Sequence, residues 1–139
     1  MKKLAILLSL SLLLAACDLG FPKMTVNYDN LPHGKIKEYI TKTFPNELEK
    51  EALSKMIYAQ LSGDKSADNI RKTVSQMGMT CEVEKEMCEY SGYIKTKVAG
   101  ISSGSGRAKR IYHIVIFPKK GMDSLKIEYQ IVEDTEKVN

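Results

Sequence analysis

The chain has 139 residues, of which 43% are hydrophobic and 27% charged, and its formal net charge is +4. Removing residues 1–16, which include Lys2 and Lys3, leaves 123 residues with a net charge of +2, so the composition gives no support to nucleic-acid binding. That length suits one domain with a single core and is too short for two domains.

The N-terminal segment has the composition of a targeting signal. Lys2 and Lys3 precede an apolar run over residues 4–14, and residues 14–17 read Leu-Ala-Ala-Cys. A bilayer-spanning helix needs roughly 20 apolar residues, so this run is too short for one. The segment resembles a bacterial lipoprotein signal peptide with a lipobox, and we prefer this interpretation to an ordinary secretory peptide in which Cys17 is incidental.

The resemblance to lipoprotein signals implies a membrane anchor that faces the periplasm. Cleavage before Cys17 would make this cysteine the first mature residue, with a thioether-linked diacylglycerol and an acylated (palmitate-type) N-terminus. Several acyl chains hold a protein on a membrane far more firmly than one chain does. Asp18 resembles the signal that retains enterobacterial lipoproteins in the inner membrane, which favours that membrane and leaves the outer membrane as the alternative.

The other two cysteines form an even pair. Once Cys17 is lipidated, Cys81 and Cys88 remain in an oxidising compartment, where disulfides form. Their spacing, with no histidine nearby, is unlike that of a zinc site. We predict a disulfide between them, which would stabilise the fold by roughly 2–3 kcal/mol by closing a short loop.

Helical patterns follow a predicted flexible tether over residues 17–31. A short helical pattern over residues 34–44 ends at Pro45. Asn46 then predicts an N-cap, with Glu49 as the partner in a capping box, for a helix that stops near Gly63.

A second cap predicts the other member of a helix pair. Ser66 precedes Ile70, Val74 and Met77 at helical spacing, and Gly78 ends the pattern.

After Gly78 the apolar period changes to two, which predicts strands over residues 80–84, 87–99, 110–118 and 124–133. The first two strands form a hairpin in which both cysteines share a face with Tyr90 and Ile94, while Tyr93 lies on the opposite face. Residues 100–106 predict a Gly/Ser loop before the third strand.

These elements predict an α+β domain over residues 32–134, in which a two-helix pair packs on one face of a four-stranded antiparallel meander. Short connections give the strand order 1-2-3-4. Residues 135–139 are expected to form a frayed tail.

Motifs for catalysis are weak. Residues 100–104 match Gly-x-Ser-x-Gly, but this pattern lies between two predicted strands, whereas a nucleophile elbow needs a strand followed by a helix. His113 lies in a strand with no acid or nucleophile placed beside it by spacing, and His33 adjoins a turn. We expect neither catalysis nor a metal or other cofactor.

Two sets of residues are candidates for partner binding. One is the basic cluster Arg107, Lys109 and Arg110, which could meet lipid phosphates or an acidic partner; the alternative is a solvated strand entry that prevents edge pairing.

The other candidate set lies on the third strand, which is apolar on both faces. If the helices cover Ile111 and Val115, then Tyr112, Ile114 and Ile116 face away from them. Either the tether or the segment 34–44 covers that side, or it is an exposed apolar patch, with Tyr93, of the kind that binds partners. An exposed patch is the leading hypothesis for a binding site.

Residues 61–66, Leu-Ser-Gly-Asp-Lys-Ser, then the helix through Ile70 and the meander after Gly78, resemble small BamE/SmpA-type lipoproteins and the repeat unit of β-lactamase inhibitory proteins. The resemblance implies a helix pair on an antiparallel sheet. The expected function is therefore a protein-binding or envelope-assembly module. The alternative is an inhibitor or immunity protein that caps a periplasmic enzyme through the loop 100–106.

Overall fold

One short strand precedes three helices, and four further strands follow them. A computed structural model describes residues 23–100 and 104–134. The helices are α1 (Lys35–Thr43), α2 (Lys50–Leu61) and α3 (Ala67–Gln76). The strands are β1 (Lys23–Asn27), β2 (Thr80–Glu82), β3 (Met87–Gly100), β4 (Gly104–Ile116) and β5 (Lys126–Glu133). The predicted α+β class with an antiparallel sheet is confirmed, with five strands rather than four and three helices rather than a pair in the described residues.

The sheet is antiparallel throughout and has the order β1–β3–β4–β5, with β2 also paired to β3. β3 and β4 pair from Cys88 opposite Ile116 to Gly100 opposite Gly104. β1 and β2 share the other edge of β3, because β1 lies opposite residues 95–99 and β2 opposite residues 87–89. The predicted meander is thus present as β2–β3–β4–β5, and β1 is added to it.

β1 corrects the prediction of a tether. Residues 17–31 are predicted to be flexible, but Lys23–Asn27 pair with β3, and Leu31 is buried in the core. Five residues are too few to show a strand period, and the hydrogen-bonding edge that stabilises them is contributed by β3, far along the chain. The rest of the predicted tether, with Cys17 and Asp18, lies outside the described residues, as does the tail 135–139.

The start of α2 also differs from prediction. Asn46 is not its N-cap: the N–H of Asn46 donates to the carbonyl oxygen of Thr43 at 2.8 Å and closes the turn after α1. The cap position is occupied by Glu49, whose side chain makes no capping hydrogen bond. Ser66 caps α3 as predicted, and its Oγ accepts a hydrogen bond from the N–H of Asn69 at 3.4 Å.

The apolar stripes of the three helices meet one face of the sheet, which we call the inner face. The opposite side is called the outer face. The core lies between the helices and the inner face. It includes Ile40, Ile57 and Val74 from the helices, packed with Tyr90 and Ile114 from the sheet. No helix in the described part of the chain is long and apolar enough to cross a membrane.

Two glycines bring the ends of α1 and α3 together. Gly34 and Gly78 have φ angles of 135° and 112°, values that favour glycine. A Cβ on Gly34 would lie 2.4 Å from the carbonyl oxygen of Met77, which accepts a hydrogen bond from the N–H of Ile36. Side chains are therefore excluded where the two backbones cross.

The β2–β3 hairpin places the cysteines opposite each other. Cys81 pairs with Cys88 in the register, and their Sγ atoms lie 2.06 Å apart, at disulfide distance.

The β3–β4 hairpin is longer than predicted. Its strands extend to Gly100 and Gly104, whereas the sequence predicts a loop over 100–106 and a strand that begins only at Arg110. Glycine and serine weaken the sequence signal of a strand, but they do not prevent ladder pairing. Residues 101–103 lie outside the described residues.

Candidate functional site

The outer face of the sheet is the main surface that the fold leaves uncovered. Directly opposed residues of neighbouring strands share a face, so the register assigns each side chain to one side. Tyr93 lies opposite Ile111, and Gln130 lies opposite Ile111 on the other side; all three are on the outer face. Because the three helices pack on the inner face, the described elements leave this surface open to solvent.

The predicted apolar patch lies on the wrong side of the sheet. Tyr112, Ile114 and Ile116 are 2%, 0% and 0% exposed and belong to the core beneath the helices. The prediction that they face away from the helices is therefore wrong.

The register with β3 explains this arrangement. Ile114 lies opposite Tyr90, and Ile116 lies opposite Cys88, on the face of β3 that carries the buried Tyr90 and Ile94. The alternation within β4 does not show which of its side chains are buried, because both its odd-numbered and its even-numbered positions are apolar. The buried set could have been identified by pairing β4 with β3, in which apolar and polar residues alternate clearly.

The predicted basic cluster is divided between the two faces. Arg107 and Lys109 lie on the outer face, whereas Arg110 points to the inner face because neighbouring residues of a strand alternate.

Arg110 has a structural role on the inner face. Its guanidinium carbon lies 5.0 Å from the ring centroid of Phe44 and 5.8 Å from that of Tyr129. Its Nη1 donates a hydrogen bond to the carbonyl oxygen of Pro45 at 2.8 Å. These contacts attach the connection between α1 and α2 to the sheet, so the prediction of a partner-binding role for Arg110 is not supported by its placement.

Two tyrosines near Arg110 have raised pKa values. Burial raises the pKa of Tyr112, and the Arg110 guanidinium opposes that shift. Tyr129 donates a hydrogen bond to the carboxylate of Glu47, which raises the pKa of Tyr129. Both phenols therefore stay protonated at neutral pH and act as packing and hydrogen-bonding groups.

The centre of the outer face combines aromatic and aliphatic side chains. Ile111 is 36% exposed, and Tyr93 beside it is half-buried. The Nζ atoms of Lys95 and Lys109 lie 5.9 and 5.2 Å from the ring centroid of Tyr93, within cation–π range. The predicted exposure of Tyr93 on the face away from the helices agrees with the structure, and Ile111 is the residue that the sequence prediction assigned to the covered side.

His113 lies on the outer face and connects three strands. Its Nε2 is 3.3 Å from Oε2 of Glu89 on β3, and its Nδ1 is 3.9 Å from Oε2 of Glu128 on β5. Beside it is a shallow, open hollow of about 370 Å³ lined by Ile111, His113, Glu128, Tyr129 and Gln130. This group can exchange hydrogen bonds with the polar atoms of a partner.

A cluster of five cationic residues occupies the end of the outer face nearest the β3–β4 turn. We call it the basic patch: Lys23, Lys95, Lys97, Arg107 and Lys109. Lys97 lies directly opposite Arg107, and Lys95 lies directly opposite Lys109, so like charges face each other across the strands. Like charges placed directly opposite each other repel across a strand pair, and Lys95 and Lys109 also contact the Tyr93 ring. The sequence prediction included Arg107 and Lys109 but missed the lysines of β1 and β3, which only the strand pairing brings together.

Other candidates for chemistry do not assemble. His33 is exposed in the turn before α1, distant in the fold from the outer-face histidine. Of the Gly-x-Ser-x-Gly motif, Gly100 and Gly104 end paired strands, and residues 101–103 lie outside the described residues. Within residues 23–100 and 104–134, no group of three or more His, Cys, Asp or Glu side chains is placed to hold a metal ion.

Comparison with known protein families, with curated proteins and with solved structures gives no significant match. The resemblance to BamE/SmpA-type lipoproteins and to β-lactamase inhibitory proteins stays a prediction.

Proposed function

We propose that this chain is a lipid-anchored protein of the bacterial cell envelope, facing the periplasm, which binds another envelope protein through the outer face of its sheet and acts without catalysis. One observation carries the proposal. All three helices pack on the inner face, while the outer face exposes Ile111 and Tyr93 to solvent.

The composition of the outer face supports contact with a protein. Interfaces combine an aromatic or aliphatic centre with a rim of polar groups. Tyr93 and Ile111 form such a centre, and His113 with Glu89 and Glu128 supplies hydrogen-bonding groups beside it. The partner surface should therefore present apolar side chains flanked by hydrogen-bond donors and acceptors.

The anchor is supported by the sequence and by the position of β1. The lipobox ends at Cys17, and the first described strand begins six residues later at Lys23. Six extended residues reach at most about 20 Å, so a lipid on Cys17 would hold the domain close to the membrane surface. Asp18 favours the inner membrane.

Two measurements test the anchor. One is the mass of the mature N-terminal peptide, and the other is the fraction of the protein that sediments with membranes. The expected result is a triacylated Cys17 and a protein that sediments with membranes, whereas Cys17→Ser leaves the protein unacylated. Recovery of an unmodified Cys17 from the native envelope would contradict the anchor.

The binding face is tested with two matched isoleucines. Ile111 and Ile131 are both exposed strand residues, at 36% and 59%, but Ile131 lies opposite Arg110 and so belongs to the inner face. We expect Ile111→Asp to abolish the crosslinked partner in pull-downs from intact envelopes and Ile131→Asp to leave it. Equal recovery with both variants would reject the outer face as the binding site.

The alternative function, an inhibitor or immunity protein that caps a periplasmic enzyme, makes a different prediction. Such a protein would lose its partner when the β3–β4 turn is changed. Because β3 and β4 pair up to Gly100 and Gly104, the replacement must be confined to residues 101–103. Loss of the partner on this replacement, with retention in Ile111→Asp, would favour the inhibitor.

A further inference from the structure

We propose that the free edge of β5 pairs with the same edge of a second copy of this chain, as an antiparallel dimer. In this dimer Tyr129 lies opposite Tyr129 of the second copy, on the two-fold axis. The proposal depends neither on the lipid anchor nor on the envelope partner proposed above, and it concerns backbone groups that neither of them uses.

The first argument is that β5 is paired on one edge only. Within residues 23–100 and 104–134 the sheet ends at β5, whose ladder partner is β4. The N–H of Asp134 donates to the carbonyl oxygen of Arg107 at 3.1 Å, and these two residues continue the β4–β5 register. Because the backbone groups of successive strand residues point to opposite edges, the even-numbered residues of β5 bond to β4. The N–H and C=O groups of the odd-numbered residues therefore point to the free edge: Ile127, Tyr129, Ile131 and Glu133.

The second argument is that this edge lacks the features that protect sheet edges. Proteins protect an edge by making it short, by a proline, a bulge or a lysine, or by covering it. β5 is eight residues long, contains no proline or glycine, and keeps an unbroken register with β4. Its one lysine is its first residue, Lys126. β5 therefore offers a long edge to another strand.

The third argument is the apolar side chains along the edge. Ile131 is 59% exposed although it belongs to the inner face, and the half-buried Ile127 and Tyr129 lie on the same face. A pairing centred on Tyr129 places Ile131 opposite Ile127 of the second copy. Aliphatic and aromatic pairs across strands stabilise a sheet, so this pairing covers an exposed side chain with an apolar one.

The polar side chains of β5 are also complementary to themselves when Tyr129 is the centre. Glu128 then lies opposite Gln130 of the second copy, and Lys126 lies opposite Val132. No two like charges are directly opposed, and the carboxylate of Glu128 can accept a hydrogen bond from the amide of Gln130.

Neighbouring registers fit less well. Registers centred on a residue are the ones that place outward-pointing backbone groups opposite each other. A centre at Glu128 opposes two carboxylates, which repel, and a centre at Gln130 places Glu133 opposite the apolar Ile127. The side chains therefore favour the centre at Tyr129, and a second copy is the occupant that this edge fits.

The dimer leaves the proposed partner-binding surface open. Its two-fold axis is perpendicular to the sheet, so the helices of both copies lie on one side and both outer faces lie on the other. The two Lys23 ends lie at opposite ends of the joined sheet. Both proposed anchors reach one bilayer when the sheet lies along it, since the six residues from Cys17 span up to about 20 Å.

Disulfide trapping in intact envelopes tests the register in the full chain. Residues 126 and 132 of opposite copies form a non-hydrogen-bonded pair with Cα atoms about 4.5 Å apart, within the range of a disulfide. Two differently tagged chains, one with Lys126→Cys and one with Val132→Cys, are expressed together and oxidised briefly. We expect a crosslinked heterodimer. Neither variant alone should crosslink, because residue 126 lies about 20 Å from residue 126 of the second copy, and the same holds for residue 132.

Matched variants added to both trapping chains test the apolar contact. Ile131→Asp places a carboxylate opposite Ile127 and should lower the yield of heterodimer about tenfold, whereas Ile131→Val should leave the yield unchanged. Ile111→Asp, on the outer face, should also leave it unchanged. Because Ile131→Asp is expected to keep the envelope partner and Ile111→Asp to lose it, failure of the dimer is distinguishable from failure of the outer face.

Amide hydrogen exchange of the full chain in detergent solution measures the free edge directly. The N–H groups of Ile127, Tyr129 and Ile131 should exchange severalfold more slowly as the protein concentration rises. The N–H of Gln130, bonded to β4, should be protected at every concentration. Protection of Tyr129 at every concentration would mean that another segment of the same chain covers the edge, and this overturns the proposal. Absence of the heterodimer, or equal crosslinking by the single variants, overturns it as well.

Discussion

The assignment of the two sheet faces makes a quantitative prediction about two isoleucines of β4. Ile114 is fully buried on the inner face, opposite Tyr90 on β3 and Ile127 on β5. Ile111 lies three residues earlier on the outer face and is partly exposed. Alanine at either position removes the same atoms from the same strand, so the difference in stability reports the environment of each side chain.

The expected cost follows from burial. Truncating Ile114 removes three carbon atoms, worth about 0.8 kcal/mol each in transfer from water, and leaves a cavity that raises the loss to about 3–4 kcal/mol. Truncating Ile111 loses part of its contact and some strand preference, about 1 kcal/mol. We therefore expect Ile114→Ala to cost at least 2 kcal/mol more than Ile111→Ala.

Urea unfolding followed by far-ultraviolet circular dichroism measures this difference, with the Cys81–Cys88 bond kept oxidised. At about 4 °C per kcal/mol for a domain of this size, the melting temperature should fall by about 14 °C for Ile114→Ala and about 4 °C for Ile111→Ala. A larger cost for Ile111→Ala would refute the face assignment and restore Tyr112, Ile114 and Ile116 as the exposed side.

Local features of the fold allow two further measurements by the same unfolding assay. Ser66→Ala should destabilise the protein by about 1 kcal/mol because it removes the acceptor of the Asn69 N–H, whereas Asn46→Ala should change stability by less than about 0.5 kcal/mol; equal costs would contradict the observed caps. Lys97→Glu should raise stability by about 0.5–1 kcal/mol at low salt, since it places a carboxylate opposite Arg107, and the gain should shrink at high salt; a loss of stability would contradict the register.

Strands with one polar and one apolar face could be predicted from the sequence. In β3 the apolar Tyr90 and Ile94 alternate with Tyr93 and Lys95, and the structure places these two sets on opposite faces as predicted. The same holds for α3, where Ser66 supplies both a cap and a starting point for the helical period. In each case the local sequence alone shows which side of the element is buried.

The local sequence of β4 does not show which side of the strand is buried. Its core segment alternates between two apolar sets, Ile111 and Val115 against Ile114 and Ile116, so local periodicity cannot choose the buried side. The choice is made by long-range pairing, in which Ile114 lies opposite the buried Tyr90.

β1 shows the same dependence on a distant partner. It is a five-residue strand whose partner, residues 95–99, is about 70 positions away in the chain. The basic patch depends on this pairing and on the β3–β4 register together, which is why only Arg107 and Lys109 could be grouped from the sequence.

The proposed lipid anchor and the outer face together set limits on the partner. Strand residues rise about 3.4 Å each, so the Tyr93–Ile111 pair lies about 13 Å along the strands from the Lys97–Arg107 pair, and His113 about 20 Å. If a lipid on Cys17 keeps the Lys23 end of the sheet next to the membrane, the apolar centre and His113 stand close to the bilayer surface. A partner that reaches this face must itself lie close to the membrane, which favours the juxtamembrane region of an integral or lipid-anchored envelope protein over a freely diffusing one.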